Sequence, residues 1–436
     1  MAWQLELGLM LITVFGLLLA GLWVPVALGI AGLLGIAVHS GTPPLRALGN
    51  LGWNTMNDFV LTAVPLFILM GQLILKSGLS ERFYQALTQW LSGVPGGLLH
   101  SNIIACGIFS AVCGSSVATA ASIGTVSVKE LQKRQYDNRM IFGSLAAGGT
   151  LGILIPPSIV AILYAAQTQE SVAQLFIAGI GPGLVMMLLF MGYVTTRVYV
   201  NPTLAPAYRG PTSSRLRLSS VLQMAPVALL MIVVLGGIYL GLMTPTEAAA
   251  IGAAGALALG VAFGNLDFQA LKDCVKETAK TNCMILFIVL GAQIFSYALV
   301  NAGLNRALTA AVTDLQLTYG AMFMAVVLLY VILGCFFDGI SMMLLTLPLL
   351  FPVVTAAGFN PIWFGIVLTI LIELGQITPP MGLNLFVIKG IAGDASISEV
   401  TWGSAPYCLL MLGILGLIYV FPEIVLWLPR SMKTAF

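Results

Sequence analysis

Fourteen apolar runs, separated by short polar stretches, make up most of the chain. They fall at about 5–22, 25–38, 59–75, 98–112, 117–128, 141–166, 174–196, 221–243, 248–263, 283–300, 318–337, 339–353, 361–391 and 404–429. A hydrocarbon core of about 30 Å needs roughly 20 helical residues, whereas barrel strands alternate over about ten. Backbone polar groups find no water inside lipid, so spans of this length must be helices. Only 8% of the 436 residues are charged, against roughly 25% in an ordinary soluble domain. So little polar surface excludes a cytosolic enzyme or a nucleic-acid binder, and 59% hydrophobic residues exclude disorder. The expected fold class is an all-α polytopic membrane protein. Its first run holds an acid and no basic n-region, and reads as a retained helix rather than a cleaved signal.

Several runs are too short to cross. The pairs 98–112 with 117–128 and 318–337 with 339–353 meet at small-residue junctions, Cys113-Gly114-Ser115-Ser116 and Asp338-Gly339-Ile340-Ser341. They are expected to be re-entrant hairpins, 98–128 and 318–353. Bare backbone at such tips is tolerated at membrane depth only where it is buried in protein or lines a cavity.

Charge sets the topology. With 76–97, 129–139, 197–217, 265–282 and Lys389 in the cytoplasm, 14 of the 18 Lys and Arg lie inside. Arg46, Arg306, Arg430 and Lys433 lie outside, with both termini. The Pro- and Ser-rich stretch 197–217 is the expected linker between halves 1–218 and 219–436.

The halves share landmarks in one order. Pro25–Gly32 answers Pro245–Gly252, Ser77-Gly78-Leu79 answers Ala302-Gly303-Leu304, and Gly114 answers Gly339. Leu154-Ile155-Pro156-Pro157 answers Ile377-Thr378-Pro379-Pro380. All lie at an offset near 220–225. The loop after the first hairpin carries four basic residues between Lys129 and Arg139, while its counterpart 354–360 carries none. The repeats are therefore expected to be inverted, the pattern of secondary transporters with a site near mid-membrane.

The double prolines fall inside the expected helices 141–166 and 361–391. Proline has no N–H to give the carbonyl four residues back. The carbonyls of Gly152 and Ile153, and of Gly375 and Gln376, therefore lose helical partners. Hard monovalent cations take oxygen ligands, and helix N-termini favour anions such as a carboxylate. Two tips facing two breaks predict two cation sites flanking a substrate site. The expected sodium set is Ser115, Ser116, Gly152, Ile153 and Pro156, then Asp338, Gly339, Ser341, Gly375, Thr378 and Pro379. The expected substrate set is Ser116, Thr119, Pro157, Ser158, Ser341, Met342, Pro380 and Asn384. Asp338 either completes a cation shell or holds its hairpin through backbone N–H groups, and the same choice applies to Glu373. Thr244-Pro245-Thr246-Glu247 reads as a helix cap. The stretches 76–94 and 301–317 read as amphipathic helices along the two membrane faces.

Other chemistry does not assemble. The six Cys lack a CxxC pair, and two His cannot hold a transition metal. No GxxxxGK[ST], HExxH or GxSxG is present. The expected cofactor list is therefore empty apart from coupling sodium ions.

GSSVATAASIGTVSV, LAAGGTLGILIPPSI, GLMTPTEAAAIGA, DGISMMLLTLPLLFPV and ELGQITPPMGLNLF closely resemble the large membrane subunit of tripartite ATP-independent periplasmic (TRAP) transporters, the DctM type. The resemblance covers nearly the whole chain. It implies an elevator-type member of the ion transporter superfamily in the bacterial inner membrane, taking up an organic acid with sodium. It also implies a separate small four-helix subunit (DctQ type) and a periplasmic binding protein (DctP type) as partners, besides lipid. Two residues before Glu373 the family often has Asn, and this chain has Leu371. The runner-up expectation is a stand-alone sodium/proton or inorganic-ion exchanger on the same architecture. Sialic acid, C4-dicarboxylates, keto acids and sulfonates all stay open as substrates.

Overall fold

The computed structural model describes residues 3–40, 47–91, 93–206, 214–393 and 395–432. Arg46, Arg209 and Lys433, counted above for topology, lie outside the described residues. Every regular element among the described residues is helical. Six helices are long and apolar enough to cross a membrane: Val172–Val200, Ser220–Tyr239, Pro245–Phe263, Phe268–Asn301, Gly339–Ala356 and Ile397–Val420. Leu48–Met56 and Val60–Lys76, bent by 49° at their junction, make a seventh candidate. Large apolar side chains stay exposed on these helices, among them Leu222, Leu229, Ile232 and Val261. In water such a surface would aggregate; against lipid it costs nothing.

Local chemistry explains most helix ends. Ser115, Asp137, Ser158, Ser171, Thr244, Asp267, Thr318, Asp338, Asn360 and Ser396 each cap a helix by accepting a backbone N–H. One such cap contributes about 0.5–2 kcal/mol. The expected cap at Thr244 is a full capping box: its N–H donates to Glu247 Oε2 at 2.8 Å, and the Glu247 N–H donates back to Thr244 Oγ1 at 3.3 Å. The amphipathic stretches form helices Leu79–Leu91 and Leu304–Asp314, each preceded by a left-handed glycine, Gly78 at φ 76° and Gly303 at φ 68°. Only glycine takes that conformation without cost.

Two boundaries differ most from expectation. The helix read as 283–300 begins at Phe268, so Lys272, Lys276 and Lys280 belong to a helix rather than a loop. At 1.5 Å per residue its 34 residues span about 50 Å. Its charged start therefore projects beyond a hydrocarbon core, which is why hydropathy alone cut it short. The stretch 197–217 is likewise shorter as a linker. Helix Val172–Val200 runs into it from one side and Ser214–Tyr239 from the other. The division at 218 thus falls inside a helix.

The long helix Phe268–Asn301 packs along Val24–Ser40 and Ala63–Lys76. Glycines permit the closest approach: a Cβ on Gly291 would lie 2.4 Å from the Pro25 carbonyl oxygen, and one on Gly32 would lie 2.8 Å from the Ile294 backbone. These helices form a wall that faces the interrupted elements.

Candidate functional site

Four interruptions define the site. In the first hairpin, helix Gly97–Cys113 ends at Gly114, which is left-handed at φ 61°, and Ser116–Lys133 begins after the cap Ser115. In the first broken helix, Asn138–Thr150 and Ile159–Thr168 flank the turn carrying Pro156-Pro157. The second hairpin joins Tyr319–Leu333 to Gly339–Ala356 through 334–338, so its first leg stops before the expected residue 337. The second broken helix joins Pro361–Gln376 to Leu383–Ala392 around Pro379-Pro380. Both Pro-Pro bonds are cis.

Glycines bring tip and break together in each half. A Cβ on Gly114 would lie 2.9 Å from the Pro157 carbonyl oxygen, and one on Gly152 would lie 2.6 Å from Ser116 Cα. Likewise a Cβ on Gly375 would lie 3.0 Å from Gly334 Cα, and one on Gly339 would lie 2.3 Å from an Ile372 methyl. No side chain fits at these crossings.

Both tips line one cavity of about 440 Å³. Gly114, Ser115 and Ser116 approach from one side, Asp338, Gly339 and Ile340 from the other, with Ile153 and Gln376 from the breaks. The opposite wall is formed by Ile68, Gly71, Gln72 and Leu75 and by Thr281, Met284 and Ile285 of the long helix. Space of this size holds a small organic ligand.

The expected site residues divide into three groups. Ser115, Ser116, Ile153, Asp338 and Gly339 face the cavity, with Gly152 directly behind Ser116. Thr119, Met342 and Asn384 are buried and do not line it. The remainder have structural work. Ser158 caps its helix and Thr378 donates to the Leu374 carbonyl at 2.6 Å. The Pro379 carbonyl accepts from Cys335 Sγ at 3.4 Å, and Gly375 packs on Gly334. Ser341 is buried, and its N–H donates to Asp338 Oδ2 at 3.1 Å. Asp338 Oδ2 thus accepts one N–H of its own hairpin while the residue also lines the cavity, which fits both roles foreseen for it. Pro156 and Pro157 are buried, whereas Pro379 and Pro380 are exposed.

Glu373 was the acid whose role the sequence left open. It is fully buried, and its Oε1 accepts from Ser116 Oγ and, at 3.1 Å, from the Ile153 N–H. One carboxyl of the second broken helix thus grips both the tip and the break of the first half. Asn384 makes a parallel approach: its Nδ2 lies 3.1 Å from where a Gly149 Cβ would sit. Glu373 Oε2, Gln376 Oε1, Thr119 Oγ1 and both amide atoms of Asn384 are buried without a hydrogen-bond partner. An unpaired buried polar atom costs about 1–3 kcal/mol, so this cluster marks the region as one suited to polar partners. Sequence reasoning did not select Gln72 or Thr281, and it named the carbonyl of Gln376 but not its side chain. Gln376 carried a usable signal, a polar residue inside an apolar run one turn before the break. Gln72 and Thr281 carried none.

Comparison with known proteins gives the family. The family described as "Tripartite ATP-independent periplasmic transporter, DctM component" matches residues 11–424. The C4-dicarboxylate TRAP transporter large permease protein DctM of Pseudomonas aeruginosa is 33% identical, over 93% of this chain and 94% of its own. The isethionate TRAP transporter permease protein DctMQ of Oleidesulfovibrio alaskensis is 31% identical over 93% of this chain and 64% of its own. Among solved structures, the Alcanivorax borkumensis YdaH transporter superposes with a TM-score of 0.64 at 15% identity, covering 92% of this chain and 98% of that one. That likeness concerns the fold alone.

Proposed function

Because the chain belongs to the DctM component family of tripartite ATP-independent periplasmic transporters, we propose that it is the large transmembrane subunit of a sodium-coupled importer of a small organic acid. It is a multi-pass inner-membrane protein and a transporter component, not an enzyme. In this reading a periplasmic binding protein of the DctP type delivers the substrate. A small four-helix DctQ-type subunit supports the membrane part. The DctMQ name of the isethionate relative, whose chain extends well beyond the matched region, favours that second partner.

One observation carries the reading: the tips Gly114–Ser116 and Asp338–Ile340 share one cavity, next to unpaired buried oxygens. The Gly375 carbonyl, expected to lose its helical partner, accepts the Thr378 N–H at 3.4 Å, so in this reading the hard oxygen ligands for sodium come chiefly from the first break and the Ser115 and Ser116 hydroxyls. The helix N-termini at Ser116 and Gly339 aim partial positive charge at the same space and favour a carboxylate there. An elevator movement would carry hairpins and breaks together past the wall made by Ala63–Lys76 and Phe268–Asn301.

The test is uptake into proteoliposomes holding this chain with its small subunit, with loaded binding protein outside. Uptake driven by an inward sodium gradient, and absent when choline replaces sodium, is the expected result. Accumulation indifferent to sodium sinks the coupling, and uptake without any binding protein sinks the delivery step.

A further inference from the structure

We propose that Lys272, Lys276 and Lys280 bind the headgroup of an anionic phospholipid on the outer face of the long helix Phe268–Asn301, at the membrane face where charge places its start. The inference needs only the membrane setting and is independent of the substrate and of sodium coupling. It concerns the part of that helix that hydropathy did not reveal.

The three lysines form one stripe. Helix positions four apart differ by about 40° around the axis, so the three rise along a single side. All three are exposed, and the same side continues upward into the exposed Cys283 and Phe287. Charged groups thus pass directly into side chains that face lipid. Thr281 and Ile285, which line the cavity, lie roughly 100–180° around the helix from this stripe. A solute leaving the cavity therefore does not meet it.

The charge on the stripe is uncompensated. Among the described residues none of the three lysines makes an ion pair. The nearest acids in the chain, Asp273 and Glu277, are half-buried and turned about 100° from the lysines they follow. Asp273 also accepts from Gln269 Nε2 at 3.3 Å.

Depth selects the partner. About 20 residues at the far end of the helix, 282–301, fill a hydrocarbon core of about 30 Å. The Cα atoms of Lys280, Lys276 and Lys272 then lie about 3, 9 and 15 Å beyond its edge, where the headgroup layer adds about 5–7 Å. Lysine stems are long and flexible, so the deeper two ammonium groups reach back to the phosphate level. A zwitterionic headgroup brings its own cation, whereas an anionic one leaves its phosphate for the lysines. At the repeat offset of 225 the first half carries Ala47, Leu51 and Thr55. The stripe is therefore no part of the shared frame, and the segment expected at the other membrane face carries no such charge.

The test is lipid quenching beside the stripe. A fluorophore is attached to Cys283 of an otherwise cysteine-free chain, purified with its small subunit and placed in phosphatidylcholine vesicles. Brominated phosphatidylglycerol and brominated phosphatidylcholine are then titrated in separately. With the lysines intact, the anionic lipid should bind at least about tenfold more tightly, roughly 1.4 kcal/mol. Replacing all three by glutamine should bring the two lipids within about twofold of each other. If that variant does not insert, Lys276→Glu alone decides: a preference cut by about half or more supports the site, and an unchanged one overturns it. Equal quenching by both lipids with the lysines intact overturns the proposal. Quenching by neither also overturns it, and would put the small subunit on this face. Loss of the preference in excess inorganic phosphate at constant ionic strength overturns it as well, in favour of a site for any soluble anion.

Discussion

The two Pro-Pro breaks share a motif and a cis bond, yet they sit in different environments. The first is buried from Pro156 through Ser158, while Pro379, Pro380 and Met381 are exposed. Their polar loads differ as well. The second break carries Glu373, Gln376, Thr378 and Asn384, where the first carries Thr150, Ile153, Ile155 and Ala161. The first tip, in turn, carries Ser115 and Ser116 where the second carries Ile340 and Ser341. Glu373 of the second broken helix nevertheless meets the first tip at Ser116.

That contrast can be broken by experiment. The largest effect is expected from Gly152→Ala, whose methyl would meet Ser116 Cα and N at 2.6 and 2.7 Å. Overpacking costs about 1–3 kcal/mol in general, and here neither backbone can yield, so transport should fall roughly a hundredfold or more. Gly375→Ala meets Gly334 Cα at 3.0 Å, has slightly more room, and should lose less. Equal losses in sodium-driven uptake would erase the difference in tightness between the two crossings.

Accessibility provides the next comparison. In a background lacking the exposed Cys283, a cysteine at Met381 should react with a small thiol reagent at least about tenfold faster than one at Ser158, because only thiolate that reagent can reach reacts. Equal rates would mean that the burial contrast is not kept in solution. Ser116→Ala should then weaken sodium-driven uptake by about fivefold, since it removes the hydroxyl that donates to buried Glu373 and such a bond is worth about 1 kcal/mol. Ser341→Ala, with no acid gripping its hydroxyl, should cost less. The smallest effect belongs to Thr150→Val, whose hydroxyl serves only its own helix. Uptake within about twofold of wild type is expected, because such back-bonding adds little to a helix. A loss as large as that of Ser116→Ala would show that the first break carries polar chemistry after all.

Much of the frame was legible in the chain. Gly114 and Ser115 mark the first tip because a left-handed glycine followed by a capping serine stops one helix and starts another. The double prolines mark the breaks because they withhold two N–H groups. Thr244 to Glu247 spells a capping box. Other features were hidden for physical reasons. The start of the long helix at Phe268 lies in a charged stretch, where hydropathy is silent and helix propensity is weak evidence. Asp338 and Glu373 look alike on paper, as acids in apolar surroundings. One accepts from its own hairpin and the other reaches across about 220–257 residues of chain to Ile153 and Ser116.

Local rules act over a few residues, so the sequence by itself determined the membrane setting, the helical class and the four interruptions. Which tip meets which break is a long-range question, settled by glycine-sized gaps at Gly149, Gly152, Gly334 and Gly375 that let separate backbones touch. Only the tertiary structure could decide that a carboxyl from one half completes the hydrogen bonds of the other. Hydrophobic patterning sets which side of a helix is buried and carries no information about which distant buried group it will face.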